Sequence, residues 1–127
     1  MNPLSVMVVD DSMVMTQLIA NALKELGHKV AFTANTGEDA IKYYPTCNPD
    51  LVTMDVTMPG MGGIAATEQI MRTHPNARVI MITSHGHGQV AQDAVRVGAK
   101  GYVLKPVKSE NLRVAIDRVF KPSEVRV

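Results

Sequence analysis

The feature that most constrains the fold is an alternation between five short apolar runs and longer segments with helical periodicity. The runs are rich in β-branched residues, as expected for strands that are buried within a sheet. They cover residues 6–9, 29–33, 51–55, 79–83 and 101–104. Strands that alternate with helices at this spacing predict a parallel sheet connected by right-handed crossovers.

The segments between the runs carry the start and stop patterns of helices. Apolar residues recur with helical spacing over residues 15–26, and Gly27 supplies a stop. Thr36, followed three residues later by Asp39, resembles a capping box and predicts a second helix that Pro45 ends. The other helices are predicted over residues 64–72, 90–95 and, with Ser109 as its N-cap, 112–120.

Composition limits the class of protein. A chain of 127 residues with 46% apolar and 20% charged residues fits one globular domain with a single core. Its net charge of +1, without a basic run, gives no reason to expect binding to nucleic acid or to an acidic membrane. The single cysteine, and the lack of a signal peptide or a long apolar run, predict a cytoplasmic protein. We expect the domain to cover residues 1–121 and residues 122–127 to form a frayed tail or the start of a linker.

Polar side chains stand at the ends of four of the five predicted strands. Asp10 and Asp11 follow the first strand, Asp55 ends the third, Thr83 ends the fourth and Lys105 follows the fifth. In the strand order 2-1-3-4-5 the remaining strand lies at an edge, so the other four ends are neighbours. The sequence therefore predicts one site that contains three carboxylates, a hydroxyl and an ammonium.

Three carboxylates in one site predict a bound cation and phosphoryl chemistry. At an effective dielectric constant near 20, two carboxylates about 4 Å apart repel by about 4 kcal/mol, and Mg²⁺ is a suitable counter-ion. Asp55 could then act as a nucleophile toward phosphorus, with Lys105 and Thr83 contacting the transferred oxygens. Two simpler interpretations remain open: Asp55 only caps the turn that Pro59 and Gly60 form, or Lys105 only neutralises a buried acid.

The chain resembles the receiver domain of response regulators over essentially its whole length. The residues that carry the resemblance are Asp10-Asp11, Asp55 with Met58-Pro59, Thr83, and Lys105-Pro106. The resemblance implies a flavodoxin-like, doubly wound α/β fold: a five-stranded parallel sheet in the order 2-1-3-4-5 with helices on both faces. It also implies a two-component signalling domain rather than an enzyme, one that catalyses only its own phosphorylation and dephosphorylation.

The same resemblance assigns roles to residues and partners. A histidine kinase or phosphotransfer protein would phosphorylate Asp55, with Mg²⁺ held by Asp11, Asp55 and the Thr57 carbonyl and, largely through water, by Asp10. Receiver domains commonly have a cis peptide bond at the position of Lys105-Pro106. The resemblance leaves the downstream protein target unnamed and suggests a monomer or a weak phosphorylation-dependent dimer.

The resemblance also implies a switch. Thr83 would move to bond a phosphoryl oxygen, and Tyr102 would move into the space that Thr83 leaves. An ordinary half-buried strand aromatic is the alternative for Tyr102. Four positions depart from the commonest receiver residues, namely Thr16, Gly62, Ser84 and the run of residues 84–88, and none of them removes a catalytic group.

His85 and Thr57 lie two residues beyond Thr83 and Asp55, at positions that modulate the lifetime of the phosphoryl group in receiver domains. We therefore hypothesise that His85 makes the lifetime of phosphorylated Asp55 depend on pH between about 5.5 and 7.5, where imidazole titrates. A solvated loop without such a role is the alternative. His85 and His87 together offer too few ligands for a metal site.

Two other functions are compatible with an acidic site at the end of a parallel sheet. A small Mg²⁺-dependent phosphohydrolase would also form an aspartyl phosphate, but 127 residues leave little room for a cap over a substrate. A flavodoxin-like cofactor carrier would need a phosphate-binding loop after the first strand. Asp10-Asp11-Ser12 has the wrong charge for such a loop.

Overall fold

In the computed structural model, which describes residues 3–86 and 88–121, five strands alternate with five helices. The strands are β1 Ser5–Val9, β2 Lys29–Ala34, β3 Leu51–Asp55, β4 Val79–Thr83 and β5 Gly101–Leu104. The helices are α1 Met13–Glu25, α2 Gly37–Cys47, α3 Gly62–Thr73, α4 Gly88–Arg96 and α5 Ser109–Val119. All strand pairs are parallel, and the order is β2-β1-β3-β4-β5. The predicted sheet order is confirmed.

Both faces of the sheet are covered, which explains the continuous apolar runs of the central strands. Successive residues of a strand point to opposite faces, so each strand contributes to two cores. On β1, Val6 and Val8 pack with α1 and α5. Met7 and Val9 pack on the other face with α2, α3 and α4. The carboxyl ends of β1, β3, β4 and β5 consequently meet at one edge.

The predicted start of α2 is confirmed, but its predicted end is wrong. The Thr36 hydroxyl accepts a hydrogen bond of 3.0 Å from the backbone N–H of Asp39. Pro45 lies inside the helix, which continues to Cys47 and ends at Asn48 in a left-handed conformation. Pro45 has no backbone N–H, so the helix loses one hydrogen bond near its C-terminus. We attribute the continuation of α2 past this residue to the packing of its last turn. That turn is anchored in the core by the buried ring of Tyr44.

The predicted N-cap of α5 is also wrong. Ser109 is the first helical residue, and the N-cap position belongs to Lys108, which makes no side-chain capping bond. The Ser109 hydroxyl instead donates to a carboxylate oxygen of Glu25 at the end of α1. Because α5 packs against α1, the Ser109 hydroxyl bonds to Glu25 and does not cap its own helix.

None of the helices within the described residues is both long and apolar enough to cross a bilayer. The predicted tail at residues 122–127 and the side chain of His87 lie outside the described residues.

Candidate functional site

Three carboxylates meet at the carboxyl edge of the sheet. Asp10 follows β1 and is 1% exposed, whereas Asp55 ends β3 and is 3% exposed. Asp11 is exposed beside them. One oxygen from each of these residues lies within 4.8 Å of the other two. The structure therefore brings together the three acids that the sequence predicted.

Lys105 reaches this cluster from the end of β5. Its Nζ lies 3.2 Å from Oδ1 of Asp55 and 3.8 Å from Oδ2 of Asp10. The other oxygen of Asp10, Oδ1, accepts a hydrogen bond of 2.9 Å from the backbone N–H of Ser12. The Lys105-Pro106 peptide bond is cis. A single ammonium thus faces two buried carboxylates, and the cluster keeps a surplus of negative charge.

The pKa values of the two buried acids follow from this geometry. Burial is the main cause that raises the pKa of Asp55 to about 6, and the neighbouring charge of Asp10 raises it further, against the opposing effect of Lys105. Burial also raises the pKa of Asp10, although the Ser12 N–H and the Lys105 charge oppose the shift. Both shifts indicate that the cluster takes up protons or a cation readily.

The donor set fits a hard divalent cation. Carboxylate oxygens are the ligands that Mg²⁺ prefers, and Mg²⁺ typically keeps several of its waters. Oδ2 of Asp10 is buried and has no hydrogen-bond partner in the described part of the chain, so it has acceptor capacity left for a cation or for a water molecule. Thr57, whose carbonyl was the fourth expected ligand, lies exposed in the loop after β3.

The backbone packs tightly around Asp55. Gly63, at the start of α3, lies so close that an added Cβ would stand 2.0 Å from the carbonyl oxygen of Asp55. Only a residue without a side chain allows this approach. Gly63 therefore allows α3 to begin directly against the end of β3.

The hydroxyl of Thr83 is engaged by its own loop. Oγ1 accepts a hydrogen bond of 2.9 Å from the His85 backbone N–H and donates one of 3.2 Å to the His85 carbonyl. The side chain of His85 is exposed. The contact between these residues is therefore made by the His85 backbone.

Tyr102 lies on β5 with 48% of its surface exposed, which is compatible both with a switch residue and with the alternative of an ordinary half-buried strand aromatic. Sequence reasoning missed its neighbours. An added Cβ on Gly86 would stand 3.2 Å from Cε1 of Tyr102 and 2.6 Å from Cδ2 of Leu104. The only sign of this packing in the sequence is the glycine at position 86, and a glycine alone does not show that Tyr102 and Leu104 are its neighbours.

Comparison with known proteins gives a consistent result. The family model described as response regulator receiver domain matches residues 6–117. Chemotaxis protein CheY from Listeria monocytogenes is 37% identical over 118 residues, which are 93% of this chain and 99% of that protein. The Treponema pallidum CheY is 40% identical over 121 residues, 94% of this chain and 84% of its own length.

Solved structures agree with the sequence comparisons. A CheX–CheY–BeF3–Mg complex from Borrelia burgdorferi matches with a TM-score of 0.88 and 36% identity, covering 94% of this chain and 90% of that one. A two-component response regulator of the LuxR family from Aurantimonas matches with a TM-score of 0.86 and 32% identity, covering 91% of this chain and 84% of that one.

Proposed function

Because this chain belongs to the response regulator receiver domain family, we propose that Asp55 is its phosphoryl acceptor and that Asp10, Asp11, Asp55 and the Thr57 carbonyl hold Mg²⁺. Receiver domains are signalling domains of two-component systems, and phosphorylation on aspartate and dependence on Mg²⁺ are general properties of the family. Family membership therefore favours signalling over the phosphohydrolase and cofactor-carrier alternatives.

The contact that carries the assignment of Asp55 is the one with Lys105. Asp55 is the carboxylate nearest to the ammonium, at 3.2 Å, and it lies with Asp10 and Asp11 in the only group of three potential metal ligands among the described residues. A nucleophile for phosphorus needs this combination, since a phosphoryl group carries charge that a carboxylate alone would repel.

The proposed reaction is an in-line transfer to the side chain of Asp55. A carboxylate oxygen forms a bond to the phosphorus while the bond between phosphorus and the donor atom breaks, and the donor keeps the electron pair. With a pKa of about 6, Asp55 is largely ionised at pH 7. Lys105 stabilises the added negative charge. When bound, Mg²⁺ neutralises oxygens of the transferred group.

The proposed donor is a histidine kinase or phosphotransfer protein, and the proposed output is a change around Thr83 and Tyr102. A phosphoryl group brings about −1.5 to −2 charge and three acceptor oxygens. To donate to one of them, Thr83 must give up the hydrogen bond that its hydroxyl donates to the His85 carbonyl. Because Gly86 packs directly against Tyr102, movement of this loop would reach the exposed ring.

Incubation with acetyl phosphate and Mg²⁺, followed by intact mass measurement, tests the assignment of Asp55. We expect a gain of one phosphoryl group that hydroxylamine removes and that is lost in Asp55→Asn. The matched control is Asp39→Asn, which changes an exposed acid in the first turn of α2 and should leave the mass gain intact. An equal gain in Asp55→Asn would contradict the proposal.

The switch is tested separately by loading the protein with beryllium trifluoride, a phosphoryl mimic, and following the Tyr102 ring by NMR. We expect a change in the ring signals of the wild-type protein and a much smaller change in loaded Thr83→Ala. An identical change in both proteins would assign the switch to another residue.

A further inference from the structure

One layer beneath the acidic cluster, β3 carries a buried threonine with an unpaired hydroxyl. Thr53 is two residues before Asp55, so both side chains point to the same face of the sheet. That face is the one covered by α1 and α5, because Leu51 belongs to the core on that side. Thr53 is 0% exposed, and its Oγ1 has no hydrogen-bond partner within the described residues.

A second buried oxygen without a hydrogen bond, Oδ2 of Asp10, lies just after the neighbouring strand, where its nearest charged partner is the Lys105 ammonium at 3.8 Å. The register between β1 and β3 pairs Val8 with Thr53. Asp10 follows Val8 by two residues, so it lies diagonally across from Thr53 on the same face. Oδ2 of Asp10 and Oγ1 of Thr53 are the two buried side-chain polar atoms without a partner in residues 3–86 and 88–121. Two buried oxygens without a hydrogen bond, one on β3 and one directly after β1, thus lie one above the other on the same face of the sheet.

Burying a polar atom without a partner is unfavourable, and internal water molecules commonly satisfy such atoms. The strand itself does not require the hydroxyl, because valine has the same shape and a similar preference for strands. A water molecule that accepts a hydrogen bond from Thr53 and donates one to Asp10 would satisfy both oxygens. We propose that Thr53 holds an internal water molecule against Oδ2 of Asp10. This water would fix the orientation of the Asp10 carboxylate from the core side and so favour binding of the cation.

Thr53 would then be a positioning residue, acting through water and Asp10 without touching the phosphoryl group. The effect on the cation rests on the proposed function, in which Asp10 belongs to the Mg²⁺ site. The water itself does not depend on that function, since both unpaired oxygens belong to the metal-free protein.

The first test is the Mg²⁺ affinity of the unphosphorylated protein, measured by NMR titration. Partners that orient metal ligands typically contribute tenfold or more to affinity, so we expect the dissociation constant of Thr53→Val to rise about tenfold. Thr53→Ser keeps the hydroxyl and should stay within about twofold of the wild-type protein. An unchanged affinity in Thr53→Val would overturn the positioning role.

The matched control is Thr67→Val. Thr67 is also 0% exposed, but its hydroxyl contacts the Met81 sulfur at 3.5 Å, and Met81 belongs to the core on the opposite face of the sheet. We expect this variant to keep the wild-type affinity for Mg²⁺. A loss equal to that of Thr53→Val would show that any buried threonine has this effect, and would overturn the proposal.

The second test is a crystal structure of the metal-free wild-type protein at high resolution. We expect an ordered water within hydrogen-bond distance of both Oγ1 of Thr53 and Oδ2 of Asp10, and its loss in Thr53→Val. Density without this water would overturn the proposal whatever the affinities are. Because no phosphoryl donor is used, failure here is distinguishable from failure of Asp55 to accept a phosphoryl group.

Discussion

The ammonium of Lys105 lies closer to Asp55 than to Asp10, at 3.2 Å from one carboxylate and 3.8 Å from the other. One positive charge therefore interacts more strongly with Asp55 than with Asp10. The three carboxylates together with this ammonium keep a net negative charge. The response of the site to pH follows from this imbalance together with the burial of both acids, which is the main cause of their raised pKa values.

Replacing Lys105 by methionine should raise the pKa of Asp55 above its value of about 6, because the opposing charge and hydrogen bond are removed. We also expect a free energy of unfolding about 1–3 kcal/mol lower at pH 7, since two buried carboxylates lose their partner. Carbon-detected NMR titration of the Asp55 carboxyl measures the first effect, and urea denaturation the second. A lower pKa in Lys105→Met would contradict the contact.

The metal-free protein should lose stability as the pH rises from about 4 to above 6. The pKa of Asp55 is raised from 3.8 to about 6, so the folded state holds a proton that the unfolded state releases earlier. Integrated over that interval, the shift corresponds to about 3 kcal/mol. Urea denaturation in EDTA across this range should show the decline, which Asp55→Asn should reduce, while the raised pKa of Asp10 accounts for what remains.

Adding Mg²⁺ at pH 7 should reverse this loss, because a ligand that binds only the folded state stabilises it in proportion to the logarithm of its concentration. The midpoint of denaturation should rise with Mg²⁺ in the wild-type protein and much less in Asp11→Asn. Equal increases in the two proteins would indicate that the cation binds elsewhere.

His28 should give the opposite dependence at acidic pH. Its Nδ1 accepts a hydrogen bond of 3.0 Å from the Leu4 backbone N–H, so the folded state requires this nitrogen to be unprotonated. Burial lowers the pKa of His28 below 6.5, while the charge of Asp117 opposes the shift. The contribution is fully present above pH 6.5 and is lost as the pH falls through the lowered pKa.

Amide hydrogen exchange of Leu4 should therefore become less protected as the pH falls toward 5, after correction for the intrinsic pH dependence of exchange. In His28→Leu, which has no acceptor, protection should be low at every pH. Protection that stays constant in the wild-type protein would contradict the role of His28.

Replacing Gly86 by alanine should displace the side chains that pack on it. The new Cβ would stand 2.6 Å from Cδ2 of Leu104, so this side chain must move, at a small cost in stability because it is flexible and 46% exposed. The matched control is Gly101→Ala, whose Cβ would meet Val119 at an ordinary 3.8 Å. NMR signals of the Tyr102 ring should shift in the first variant and stay nearly unchanged in the second.

Features set by neighbours along the chain could be predicted. The apolar run of β3 and the capping residue Thr36 each depend on a few adjacent residues, and the structure confirms both. The convergence of Asp10, Asp55 and Lys105 followed from the same local patterns, because a parallel sheet in this order brings the ends of its central strands together.

What the sequence by itself determined is the sheet, its order and the side chains that stand at its carboxyl edge, since periodicity and strand ends are local properties. Only the tertiary structure decided where polar groups found partners. Ser109 bonds to Glu25, 84 residues away, and the Leu4 backbone N–H bonds to His28, 24 residues away. The hydrogen-bond partner of each of these groups depends on how distant segments pack, because packing limits the partners that the group can reach. A local sequence pattern carries no information about that packing.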